Sequence, residues 1–175
     1  TLTFGREDEV DLRNTCDFCS FSYYYSSLVS KESYNNGNRT IKNPNLPQNP
    51  WGWSYDPIGL RITLNQLYDR YQKPIYITEN GSGFYDKLEN GYIHDQYRIS
   101  YYQEHIEQVK EALRDGVDVR GYYVWGPIDI ISCSSSEMSK RYGFIYVDQD
   151  DYGNGSGERI KKDSYFWYQD FLRRI

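Results

Sequence analysis

Apolar residues recur along this chain with two different spacings, and each change of spacing marks a change of element. From Asp56 onward, Leu60, Leu64, Leu67, Tyr68 and Tyr71 stand three and four residues apart, which lines one face of a helix. Asp56 and Pro57 supply a cap and a first-turn proline, and Lys73-Pro74 closes the helix. Ile75, Tyr76 and Ile77 have the β-branched and aromatic character of a strand, ended by the turn residues Asn80, Gly81, Ser82 and Gly83. Ile99, Tyr102, Ile106, Val109 and Leu113 mark a second amphipathic helix closed by Gly116. Val117 to Trp125 reads as a strand stopped by Gly126-Pro127, and Tyr165, Tyr168, Leu172 and Ile175 place a last helix over about Asp163 to Arg174.

Around these elements the pattern is weaker. The charged residues 6–15 read as the end of a preceding helix, and Asp17 to Tyr25 as a first strand. Residues 29–55 carry Gly, Asn and Pro clusters without periodicity and read as a long loop, as does the polar run Phe84 to Asp95. A serine-rich loop precedes GFIYVD at 143–148, and the turn DQDDYGNGSG follows it. Strand, helix, strand, helix, strand implies parallel strands joined by right-handed crossovers. A closed (β/α)₈ barrel needs eight strands and about 250 residues. The expected fold is therefore α/β, the C-terminal portion of such a TIM barrel with about three βα units, as one incomplete domain over residues 1–175.

Composition narrows the chemistry. Net charge is −5 with no Lys/Arg-rich run, which argues against a nucleic-acid partner. No stretch approaches the ~20 apolar residues of a membrane span, and TLTFGREDEV lacks a signal-peptide pattern, so the expectation is a cytoplasmic protein with no membrane partner. Three scattered cysteines (Cys16, Cys19 and Cys133) and two histidines do not complete a metal site, so neither metal nor cofactor is expected, and the thiols read as reduced and partly buried. Aromatic content of 18%, with 20 tyrosines and four tryptophans, supplies flat contact area with polar handles, suited to a sugar.

Glu79 is the candidate of most consequence. It stands at the C-terminal end of the best-defined strand, the end at which side chains of an α/β barrel converge on substrate. A carboxylate there serves as nucleophile, base or electrostatic stabiliser. The plain alternative is a solvated glutamate that opens a turn.

The motifs ITENG (77–81), YVWGPID (123–129), KRYGFIYVD (140–148) and YFWYQDF (165–171) together resemble, in order and spacing, the C-terminal part of glycoside hydrolase family 1. WGWSYDPIGL (51–60) and EMSKRYGFIYVD (137–148) are most similar to its bacterial 6-phospho-β-glucosidase branch. The resemblance implies retaining hydrolysis of 6-phospho-β-glucosides by double displacement. Glu79 matches the nucleophile, Tyr24 the tyrosine that hydrogen-bonds it, and Trp125 the tryptophan that packs on the sugar. Ser132, Lys140 and Tyr142 match the phosphate-binding residues. Ser132 and Cys133 replace the Glu and Trp of members acting on unphosphorylated sugars, and Cys133, a substrate-binding position, stands where the phospho-galactosidases carry Trp and the glucosidases a small alanine. Ser22 replaces an Asn expected two positions before Tyr24.

The family's general acid lies in an Asn-Glu-Pro motif, which this sequence does not contain. The implied partners are a phosphorylated β-glucoside and either the missing N-terminal barrel half or further copies of the chain. Two other classes stay open: a non-catalytic module binding carbohydrate through Trp51, Trp53 and Trp125, and a structural fragment without ligand.

Overall fold

The computed structural model describes residues 3–13, 16–37 and 40–174. In chain order the elements are α1 (Arg6–Arg13), β1 (Cys19–Tyr23), α2 (Lys31–Asn35), α3 (Pro57–Tyr71), β2 (Ile75–Asn80), α4 (Gln96–Arg114), β3 (Val119–Val124), β4 (Ile145–Val147), β5 (Arg159–Lys161) and α5 (Asp163–Leu172). Strands β1, β2 and β3 form a parallel sheet with β2 in the middle. The expected alternation of strand and helix is therefore present, with three βα units.

The middle strand is the most buried. Ile75 and Ile77 are fully covered by Leu60 and Leu64 of α3 and by Val109 and Ala112 of α4, so the helical stripe and the apolar strand meet as the spacing requires. Asp56 caps α3 by accepting the Gly59 N–H at 2.9 Å. A second core forms where Tyr101, Tyr102 and Ile106 of α4 meet Phe144 and the Tyr168 and Phe171 rings of α5. Tyr71, Leu113 and Leu172, counted above as stripe positions, are about half exposed because each occupies the last turn of its helix or the turn next to it. Ile175 and the end of the 6–15 segment lie outside the described residues.

The loop at 29–55 contains structure that its sequence does not announce. Helix α2 has five residues, and its Ser30 and Ser33 side chains cap one another's backbone in a capping box. Two isolated bridges, Leu28 to Ile41 and Gln48 to Ser54, fold the rest back on itself. Likewise β4 and β5 form an antiparallel hairpin around the 148–158 turn. Cys19 alone is half-buried. Cys16 and Cys133 are exposed, contrary to the expectation of partly buried thiols, because one precedes β1 and the other sits in the serine turn. Among the described residues no helix is long and apolar enough to cross a membrane.

Candidate active site

The end of β2 does not keep a simple alternation. Ile77 packs on the α4 side, and three residues later Asn80 does so too: it is fully buried, its Nδ2 donating to Tyr101 Oη of α4 and to the Tyr23 carbonyl. Both strand pairs show a register irregularity over this stretch. One extra residue of this kind re-aims its neighbour, and here it turns Glu79 away from the helices, opposite Ser22 of β1. Asn80 is thus a strand residue rather than the turn residue its type suggests. Its amide also accepts from Tyr122 Oη of β3 and so ties all three strands at the point where Glu79 emerges.

Glu79 Oε2 accepts a 2.8 Å hydrogen bond from the Tyr24 hydroxyl. Burial, and then the bond to Glu79, push the Tyr24 phenol above its ordinary value, so it remains a donor at neutral pH. The Tyr24 ring meets Trp53 edge-on at 5.3 Å, and Tyr25 stacks on the same indole at 5.4 Å. Asn49 fixes this tryptophan loop: Oδ1 accepts the Trp51 and Trp53 N–H groups, and Nδ2 reaches Ser82 Oγ in the turn after β2 at 3.0 Å.

Beyond Trp53 lies a cation. Lys140 is 1% exposed, its Nζ 4.1 Å from the Trp53 ring centroid and 5.1 Å from that of Trp51. Among the described residues no carboxylate lies within ion-pair distance of it; its polar contact is Ser134 Oγ at 3.4 Å. Burial pushes its ammonium below the usual lysine value, and the aromatic faces compensate in part. Ser132 Oγ lies 3.2 Å from the Tyr142 hydroxyl, and the Tyr142 ring contacts Trp53 and Trp125. Glu137 holds Trp51 through a 2.7 Å bond to its indole N–H.

The sequence-derived candidates therefore gather in two linked groups. Tyr24 and Glu79 are bonded; Ser132, Lys140 and Tyr142 cluster; Trp125 borders the second group, its N–H held by the Asn80 carbonyl at 2.8 Å. Cys133 is in the same turn as Ser132 with its side chain exposed. A cavity of about 220 Å³ adjoins Tyr24, Trp53 and Tyr101 but includes neither Glu79 nor Lys140. A buried cation beside two hydroxyls is suited to a ligand oxyanion, and a carboxylate held at one oxygen is suited to attack or proton transfer through the other.

Reading the sequence missed the charged assembly behind this surface. Arg98, buried, binds Asp95 and Asp86, and Lys162, also buried, binds Asp86 and Asp129. Burial works against the Asp86 carboxylate, but Arg98 and Lys162 outweigh it and hold its pKa below the ordinary range. Asp129 is pushed up by burial against the pull of Lys162 and accepts the Gly143 N–H at 2.8 Å. Nothing in the polar run 84–95 sets Asp86 and Asp95 apart from solvated aspartates; only their convergence with Arg98 and Lys162 does.

Comparison with known proteins agrees with this architecture. The model of glycosyl hydrolase family 1 matches residues 1–174. The chain is 53% identical to a 6-phospho-beta-glucosidase of Dickeya chrysanthemi, covering 98% of this chain and 38% of the relative, and 51% identical to AscB, the 6-phospho-beta-glucosidase of Escherichia coli, covering 97% and 37%. It is also similar to the family 1 b-glucosidase of Thermotoga maritima, with a TM-score of 0.82 at 32% identity over 95% of this chain and 37% of that one. The chain thus spans well under half the length of these relatives and corresponds to part of their barrel. On a match that runs through every element described above, the chain belongs to glycosyl hydrolase family 1.

Proposed function

We propose that this chain carries the nucleophile and the phosphate-binding part of a retaining 6-phospho-β-glucosidase. The observation that carries this reading is the single indole of Trp53, whose ring contacts both Tyr24, the partner of Glu79, and Lys140. A carboxylate and an anion site held that close suit one sugar ring with a phosphate on its exocyclic carbon. The relatives' names, 6-phospho-beta-glucosidase and phospho-cellobiase, support the same substrate class.

In this mechanism Glu79 Oε1 attacks the anomeric carbon while Tyr24 holds Oε2. The bond to the leaving oxygen breaks as a general acid protonates it, giving a glycosyl-enzyme ester. Water, deprotonated by the same residue, then releases the sugar with its configuration retained. Retaining enzymes keep the two carboxyls about 5 to 5.5 Å apart; the second is assigned to the Asn-Glu-Pro motif, outside this sequence. Lys140 supplies a point charge to the phosphate, Ser132 and Tyr142 supply hydroxyls, Trp125 offers a face to the C–H groups of the ring, and Cys133 borders the sugar.

The test is a chimera in which these 175 residues replace the matching segment of the Dickeya chrysanthemi relative, assayed on aryl 6-phospho-β-glucoside and on the plain aryl β-glucoside. Lys140→Ala is expected to raise KM for the phosphorylated substrate by about tenfold to a hundredfold, since a hydrogen bond to a charged group contributes ~1.5 to 3 kcal/mol. An equal loss on both substrates would overturn the assignment.

A further inference from the structure

Lys140 and Tyr142 are separated by Arg141, whose neighbours face one way and whose own side chain faces the other. Its guanidinium runs to the carbonyls of Val147 and Gln149 in the β4–β5 hairpin, at 2.9 and 2.6 Å. Its backbone forms a two-way bridge with Phe84, five residues past Glu79: Arg141 N–H to the Phe84 carbonyl at 3.0 Å, and Phe84 N–H to the Arg141 carbonyl at 2.9 Å. That Arg141 carbonyl also accepts from Arg98 Nη2 at 3.1 Å. Arg98 is in turn fixed by both oxygens of Asp86 and by Asp95, and Asp95 accepts the Ser164 N–H at 2.8 Å and the Ser164 hydroxyl at the start of α5.

We propose that Arg98 is a positioning residue for phosphate selectivity: from behind, it fixes the backbone between Lys140 and Tyr142 so that both side chains face the site at a set distance from Glu79. The inference rests on the reading of Lys140 and Tyr142 as phosphate ligands. Stability alone is a poor reason for this assembly. A buried ion pair gains little over apolar packing of the same volume, and here the Arg98 Nε–H finds no partner among the described residues. What the guanidinium supplies, and an apolar group cannot, is a third bond in a fixed plane to the Arg141 carbonyl while two carboxylates hold the other edges. A lysine ammonium keeps the charge but cannot span Asp86, Asp95 and that carbonyl together.

The experiment is a double-mutant cycle in the chimera with Arg98→Lys and Lys140→Ala, read as the ratio of kcat/KM for aryl 6-phospho-β-glucoside to that for the plain glucoside. Arg98→Lys should lower the ratio by about tenfold, chiefly through KM of the phosphorylated substrate, because a misplacement of ~1 Å is felt at this scale. In the Lys140→Ala background the further fall should be much smaller, the part carried by Tyr142 alone, the non-additivity of residues acting through a shared contact. Equal losses on both substrates, or additive effects, would make Arg98 merely structural and overturn the proposal. Should R98K fail to accumulate as folded protein, Ser164→Ala, which loosens Asp95 and through it Arg98, is read in the same cycle with an expected effect of about threefold. If Lys140→Ala leaves the ratio unmoved, the phosphate reading itself falls. If it collapses the ratio and the Arg98 and Ser164 variants do not, only the present inference falls.

Discussion

Glu79 has one oxygen bonded to Tyr24, and the proposed mechanism gives the other to the attack on substrate, so its replacement separates shape from charge. Glu79→Gln in the chimera keeps an acceptor for Tyr24 yet removes the proposed nucleophile. Turnover should fall by orders of magnitude with KM little changed, measured by steady-state kinetics on the aryl 6-phospho-β-glucoside. A second residue has consequences for stability rather than chemistry. His105 of α4 is fully buried, its Nδ1 bonded to the Tyr101 carbonyl at 2.8 Å and its Nε2 without a partner among the described residues. Burial lowers its pKa to about 4. Above the unfolded value near ~6.5 the ring is neutral in both states, and as pH falls below it the unfolded chain alone takes up the proton. Stability should therefore drop between about pH 6.5 and 4, by about 3 kcal/mol from this group. His105→Phe, compared with the unaltered chain by urea denaturation at pH 7 and 4.5, should lose that share of the pH dependence; identical pH profiles would refute the assignment.

At the scale of elements, the turn after β2 and the segment carrying Lys140 are one packed unit. A methyl group on Gly83 would stand 2.6 Å from Lys140 Cγ and 2.9 Å from Cε, too close for the buried stem to keep its place. Gly83→Ala should thus behave as a partial Lys140 lesion, lowering the preference for the phosphorylated substrate by about tenfold; an unchanged preference would show that the stem relaxes. Asp56 joins elements in a different way. It caps α3 through Oδ1 and accepts from Ser26 Oγ through Oδ2, while its carbonyl accepts from Tyr23 Oη at 2.7 Å. Asp56→Ala should cost about 1 to 2 kcal/mol, read as a lowered thermal midpoint. The cap was legible from Asp-Pro in the sequence; the tie to the end of β1 was not, because Ser26 lies 30 positions away.

For the whole molecule, the described sheet ends at β1 and β3, and large apolar groups stand exposed, among them Phe18, Tyr123, Ile131 and Phe166. An apolar groove of about 420 Å³ also opens between β3 and α5, lined by Val124, Pro127, Phe144, Tyr168 and Leu172. Unpaired edges and apolar faces of this kind recruit partners, so light scattering of the isolated chain should give a mass above 20.8 kDa. The isolated chain should also fail to hydrolyse aryl 6-phospho-β-glucoside, since the proposed mechanism needs the Asn-Glu-Pro general acid and working without one typically forfeits ~10² to 10⁴ in rate; an active monomer would contradict both expectations. Periodicity by itself determined the three parallel strands and the helices over them, because burying an apolar stripe is a local requirement that leaves a local trace. The position of Glu79 at the end of a strand was legible through residue type and spacing, while its pairing with Tyr24 was expected only from the family resemblance and is formed in the structure. Tertiary structure alone decided the rest. The irregularity that turns Glu79 outward is a register event between strands. The burial of Asp86, Asp95, Arg98, Asp129 and Lys162 depends on residues up to 76 positions apart meeting in space, and charge in a loop looks the same in sequence whether water or another charge will satisfy it.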